Sequence, residues 1–213
     1  MRPPQNWQSA RVTLAITAIT ILAWLLVMLT GQEQPAATMG GFVPERLHAL
    51  HGGALVAALL ITPLTATLLH SGLIHLGFNL LVLLFCGRMV ENILGARGMI
   101  ILYLVGAYAA AAAHYVAGPT DPFPMIGASG AISAVIGASA MLVGKNKVRI
   151  AHPLLARWLN ALWLAAAWIL LQVLIGYTIQ LSGPRIAVAA HIGGFLAGMA
   201  LANPLLLLKW RHA

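Results

Sequence analysis

A serine and a histidine stand out because each lies in a stretch too apolar to hold an idle polar group cheaply. Ser129 sits in Gly127-Ala128-Ser129-Gly130 at the head of one apolar run, and His191 in Ala190-His191-Ile192-Gly193-Gly194 near the head of another. Reactive or ionisable groups in hydrocarbon are costly and mark functional sites by default. A serine hydroxyl is a weak nucleophile until a neutral imidazole within hydrogen-bond reach takes its proton. The pair therefore reads as nucleophile and general base. A tetrahedral intermediate would need donors for its oxyanion. His75 and Asn79, four residues apart and so on one helix face, can supply them together with the Ser129 backbone N–H. A helix starting at Ser129 adds unpaired N–H groups and a favourable dipole. His70 falls off the His75 face and belongs to the loop ahead of it. The only acids are Glu33, Glu45, Glu91 and Asp121. None is placed to orient His191, so a Ser-His dyad is expected rather than a triad.

The elements that carry these residues must lie in a bilayer. Of 213 residues, 61% are hydrophobic and only 8% charged, against roughly 25% charged in a soluble domain; the mean hydropathy is +0.90. The chain is expected to be an all-α polytopic membrane protein forming one domain over 1–213, without an appended soluble domain. The first apolar run, 12–30, is about one span long and reads as a retained helix, not a cleaved signal. Six spans can be drawn, near 11–30, 75–90, 99–117, 129–143, 155–181 and 185–208. With the N-terminus in the cytoplasm, ten of the twelve Lys and Arg fall inside, including the run Lys145–Arg149, and only Arg46 and Arg185 outside. The positive-inside rule thus puts both termini in the cytoplasm. Trp7, Trp158 and Trp210 lie near inner boundaries. In this setting the formal charge of +8 is a topology signal, and no nucleic-acid partner is expected. The lone Cys86 supports no disulfide framework and reads as a core residue.

With this topology Ser129, His75, Asn79 and His191 all sit at a shallow depth below the outer surface. His191 lies about six residues into its span, or roughly 9 Å at 1.5 Å per residue. Two small-residue stripes, Ser129-Ser133-Gly137 and Ala190-Gly194-Gly198, would let the fourth and sixth helices approach closely. The stretch 31–74 forms a long outer loop. Its apolar part, 53–69, is read as chain folded partly into the membrane, because a seventh span there would invert the charge bias.

These residues resemble the rhomboid intramembrane serine proteases. Gly127-Ala128-Ser129-Gly130 is similar to their nucleophile motif. The stretch from Ala190 to Gly198 is similar to their histidine helix, and His70-Ser71-Gly72-Leu73-Ile74-His75-Leu76-Gly77-Phe78-Asn79 to their second-helix signature. Each motif is weak alone; the three in order across about 70–200 are specific. The resemblance implies a six-helix rhomboid-like bundle and a cofactor-independent, metal-independent endopeptidase. Ser129 would be its nucleophile, His191 its base, and His75 and Asn79 its oxyanion-hole donors. Gly127, Gly130, Ser133 and His70 would support the site. Substrates would be transmembrane helices of client membrane proteins, cut near their outer ends. Arg88 and Glu91 fall where the family has a structural polar cluster. Two positions depart from the pattern. Ile61-Thr62 stand where many members have Trp-Arg, which weakens the first loop's anchoring. Ser133 stands where some stack an aromatic on the histidine, which leaves His191 either less rigidly held or hydrogen-bonded to Ser133 instead.

Two other function classes fit less well. A metal or proton transporter using His70, His75 and His191 would normally add carboxylates to its imidazoles, and would leave the glycines around Ser129 unexplained. A non-catalytic rhomboid-like protein that binds membrane clients would have lost the serine or the histidine, and both are present. His48, His51, His114, His152 and His212 read as surface or interface residues. The short N-terminus without a transit peptide points to a bacterial cytoplasmic membrane, with the site facing outward.

Overall fold

The computed structural model describes residues 10–143, 152–180 and 187–210. Helices follow in the order α1 (Arg11–Thr30), α2 (Glu33–Gly40), α3 (Arg46–Ala49) and α4 (Gly52–Thr65) with a 3-10 turn, Ala66–Leu68. Then come α5 (Leu73–Val82), a π-helical turn (Leu83–Gly87), α6 (Arg88–Ala117), α7 (Ser129–Val143), α8 (Pro153–Gln180) and α9 (Val188–Trp210). Among the described residues there is no strand, only an antiparallel bridge between Phe42 and Met125. Arg11–Thr30, Leu73–Ala117 and Val188–Lys209 are long and apolar enough to cross a bilayer; Gly52–Leu68, Ser129–Val143 and Trp158–Leu174 are shorter apolar helices. This is an all-helical integral membrane protein. Large apolar side chains such as Leu22, Leu29, Ile74 and Leu207 face outward, as a lipid-facing surface requires. The basic run at 145–149, Trp7 and Arg185 lie outside the described residues.

Two boundaries differ from the sequence reading. The apolar part of the first loop is helical, forming α4 with Pro63 inside its last turn, because an apolar segment surrounded by lipid must satisfy its backbone internally. The expected second and third spans are not separated by a loop. Helix runs from Leu73 to Ala117, broken only where Gly95 leaves helical geometry (φ 79°, ψ 171°). That left-handed φ costs glycine little and other residues more. Lys209 at the end of α9 donates to the carbonyls of Ile93 (2.7 Å) and Asn92 (3.4 Å) beside the break. Such carbonyls lose their partners where a helix ends.

Glu91, in the polar cluster at the end of the second expected span, holds the start of α1. Ala10, before α1, provides no side-chain cap. Instead the Glu91 carboxylate, 1% exposed, accepts hydrogen bonds from Val12 N (2.9 Å), Thr13 N (2.7 Å) and Thr13 Oγ1 (2.7 Å). A carboxylate at a helix N-terminus satisfies orphan donors and favours the dipole.

The core is built from α6, α7 and α9 around Leu83, Val90, Met99, Leu102, Val135 and Ala202. The two small-residue stripes meet as the spacing predicts. A Cβ on Gly194 would lie 2.0 Å from Gly130 O, one on Gly198 1.9 Å from Ala134 O, and one on Gly137 2.2 Å from Phe195 O. Only glycine lets these backbones touch.

Candidate active site

Three loops and the starts of α5, α7 and α9 converge at one end of this core. The segment before α7 is pinned from both sides. Phe42 and Met125 exchange backbone hydrogen bonds (3.1 and 2.8 Å), Glu45 N donates to Asp121 O (3.1 Å), and Gly127 N donates to Ala66 O (2.8 Å). The Tyr108 hydroxyl donates to Leu60 O (2.6 Å) and the Thr65 hydroxyl to Gly40 O (2.6 Å). The first loop is therefore anchored by hydrogen bonds from other residues although Ile61-Thr62 replace Trp-Arg; the buried Thr62 only back-bonds to Ala58 O.

Ser129, at the first position of α7, faces His191, in the first turn of α9. Their Oγ and Nε2 atoms are 2.7 Å apart. The close α7–α9 seam creates this contact, since Ala190 and Gly194 on one helix lie over Gly130 on the other. Of the two alternatives at Ser133, a hydrogen bond to His191 is not the one formed. The Ser133 hydroxyl donates to Ser129 O (2.7 Å), the i−4 back-bond that serine makes inside helices.

His75 and Asn79 lie on one face of α5, with Asn79 Nδ2 donating to His75 O (2.8 Å). Asn79 is buried, and its second amide hydrogen is left for another acceptor. Ser71 N lies 3.4 Å and Ser71 Oγ 3.1 Å from His75 Nδ1. A backbone N–H can only donate, so Nδ1 of the neutral ring is unprotonated and Nε2 carries the hydrogen. That Nε2 points to Gly127, whose φ of +113° is open to glycine alone; a Cβ there would stand 2.7 Å from His75 Nε2 and 3.7 Å from Ser129 Oγ. The missing side chain leaves a space bordered by the hydroxyl and an N–H donor.

His70 is in the loop, as expected, and buried. Its Nε2 accepts from Ala128 N (3.4 Å), and its ring centroid is 4.9 Å from that of His75. Burial, and then the neighbouring His75, push its pKa from 6.5 down to about 4. It is neutral at pH 7 and can act as that acceptor. Among the described residues no group of three or more His, Cys, Asp or Glu is placed to hold a metal ion.

The sequence reading missed one contact. Gln172 of α8, 5% exposed, has Oε1 2.7 Å from His191 Nδ1. On the same helix Trp168 Nε1 donates to His191 O (3.4 Å), and its ring stacks on Phe195 with centroids 4.9 Å apart. The signal was available: Gln172 is the lone amide in the apolar stretch 161–174, and such groups are functional hypotheses by default.

A family model described as the Rhomboid domain matches residues 57–208, most of the chain. The chain belongs to the rhomboid family. It is 26% identical over 197 residues to Rhomboid protease GluP of Bacillus subtilis, covering 92% of this chain and 35% of that protein. It is 26% identical over 195 residues to Rhomboid protease GlpG of Haemophilus influenzae, covering 90% and 89%. It is 28% identical over 145 residues to RHOMBOID-like protein 5 of Arabidopsis thaliana, covering 65% and 42%. The chain thus spans about a third of GluP but most of GlpG. Within the rhomboid match lie Ser129, His191, His75, Asn79 and Gln172; α1, α2 and α3 precede it.

Proposed function

We propose that this rhomboid is an intramembrane serine endopeptidase that cuts transmembrane segments of client membrane proteins near their outer ends. One observation carries the reading: the 2.7 Å contact between Ser129 Oγ and His191 Nε2 at the start of two apolar helices. Two relatives bear the name protease, which agrees with it. Ser129 attacks the scissile carbonyl while His191 Nε2 takes its proton. The proton then passes to the leaving amine, and an acyl-enzyme remains. The oxyanion is held by the His75 Nε2–H, the free Asn79 Nδ2 hydrogen and the Ser129 N–H, around the space that Gly127 leaves open. Water deprotonated by His191 hydrolyses the ester. No step calls for a metal or cofactor. The client helix must unwind before attack, because an intact helix hides its carbonyls in hydrogen bonds.

The chain acts as one domain over 1–213 with six spans, which the break at Gly95 supports by dividing Leu73–Ala117 into two arms. The charge bias supports cytoplasmic termini and a site facing outward, in a bacterial inner membrane. The 31–74 loop lies on the outer side, and α4 is its embedded part.

The test is labelling of detergent-solubilised protein by a fluorophosphonate probe beside Ser129→Ala and His191→Ala. Labelling lost in the first variant and sharply reduced in the second is the expected result. A folded wild type that takes no label would overturn the protease reading in favour of a client-binding rhomboid.

A further inference from the structure

We infer that Gln172 is a positioning residue that fixes the tautomer of His191. The inference rests on the protease reading for its consequence, though not for its geometry. A neutral imidazole carries one N–H and one lone pair, and the partner of one nitrogen decides the state of the other. Gln172 presents its amide oxygen to Nδ1 at 2.7 Å. An oxygen there accepts, so Nδ1 bears the hydrogen. Nε2 is left with the lone pair, 2.7 Å from Ser129 Oγ. This is the tautomer that can take the serine proton. The opposite amide orientation would donate to Nδ1, put the hydrogen on Nε2 and leave the serine facing a donor. In acyl-transfer sites built on a triad, a carboxylate performs this orientation; no acid of this chain stands there. An amide suits the buried setting, because it accepts a hydrogen bond without placing a charge in a low-dielectric site.

The surroundings hold Gln172 in place. Trp168, one helical turn earlier on α8, donates to the carbonyl of His191 itself and stacks on Phe195, four residues further along α9. Backbone and ring of His191 are thus both held from the same face of α8. This replaces the aromatic support that Ser133 cannot give.

The experiment compares Gln172→Met, of similar length without a strong acceptor, with Gln172→Glu, which keeps an acceptor oxygen. Each is checked for monodispersity and thermal unfolding in detergent. The readouts are the rate of fluorophosphonate labelling at Ser129, and the 15N spectrum of histidine-labelled protein with His191 identified by subtraction of His191→Ala. Wild type should show His191 protonated at Nδ1. Gln172→Met should mix the tautomers and slow labelling roughly 10- to 100-fold, part of the 10²–10⁴ that a positioned base contributes. Gln172→Glu should retain Nδ1 protonation and most of the rate. Wild type protonated at Nε2 would overturn the inference without reference to any variant. So would a folded Gln172→Met labelled at the wild-type rate, or a folded Gln172→Glu as slow as the methionine variant. If wild type takes no label, the protease reading fails, while the nitrogen spectrum of wild type and Gln172→Met still decides the tautomer.

Discussion

α7 and α8 are both apolar helices packed against α9, and they meet it by different means. α7 meets it by shape. Eight of its residues, from Gly130 to Ala138, are buried, and its backbone touches that of α9 wherever glycine removes a side chain. α8 meets it at a few points, through hydrogen bonds from Gln172 and Trp168 to His191 and one ring stacked on Phe195. Among its described side chains the buried ones are Ala156, Asn160 and Gln172, while Leu162, Trp163, Leu170 and Val173 are exposed to the surroundings. Lipid tails are as apolar as leucine, so apolar area alone does not drive helices together in a bilayer. Close backbone approach and hydrogen bonds remain, and the molecule uses one at each face of α9. The reacting pair, Ser129 and His191, spans the seam held by shape. The group that orients the imidazole comes from the side held by hydrogen bonds.

This contrast predicts where variants should cost stability and where they should cost activity alone. The largest effect should come from Gly198→Leu, which drives a side chain into the Ala134 carbonyl. Backbone cannot yield as a rotamer can, so the seam should fail with a loss of about 4 kcal/mol or more. Thermal aggregation in detergent would report it; a stable, active Gly198→Leu would sink the idea that the seam needs contact between backbones. Asn79→Ala should lower turnover about 10²- to 10³-fold, the scale of one oxyanion donor, with unfolding near that of wild type. Unchanged turnover would remove Asn79 from the oxyanion site.

Glu91→Gln should cost about 1–3 kcal/mol, because the one amide oxygen can accept only part of what the two carboxylate oxygens accept at α1, and the amide NH2 faces donors. Activity per folded molecule should not move. His70 sharpens the comparison through pH. Its folded pKa of about 4 lies below the unfolded 6.5, so between these values the unfolded chain binds a proton that the folded chain does not. Stability should therefore fall as pH drops from 6.5 towards 4, by on the order of 3 kcal/mol at most from this group. Unfolding measured across that window should show a shallower fall in His70→Gln. An identical slope would mean that His70 is not held neutral by the fold. The smallest effect belongs to Leu170→Ala on the outer face of α8, expected within about 0.5 kcal/mol. A loss above 2 kcal/mol would show that α8 is held by apolar packing after all.

Much of the site is legible along the chain itself. Ser129, His191, His75 and Asn79 are marked by chemistry that an apolar run would not otherwise carry, and the four-residue stripes predict which helices touch. Ser133 misleads because it shares its helix with Ser129. A hydroxyl one turn further on finds the carbonyl four residues back before it can reach another helix. The apolar part of the first loop reads as chain folded partly into the membrane because a seventh span would invert the charge bias, yet it is helical, and Pro63 falls in the last turn of α4, where the helix is already ending.

Composition and periodicity determined that this chain is a helical membrane protein with a hydroxyl and an imidazole at the heads of two spans. Those are properties of segments, set by local hydropathy and spacing. The tertiary structure decided which polar groups pair across the chain, in the site and outside it. Gln172 beside His191, Glu91 beneath α1 and His70 beneath Ala128 are each joined across 19, 78 or 58 residues of chain. A hydrogen bond depends on where two helices cross and how each is rotated. One sequence read along its length carries the donors and acceptors but not the rotation that pairs them.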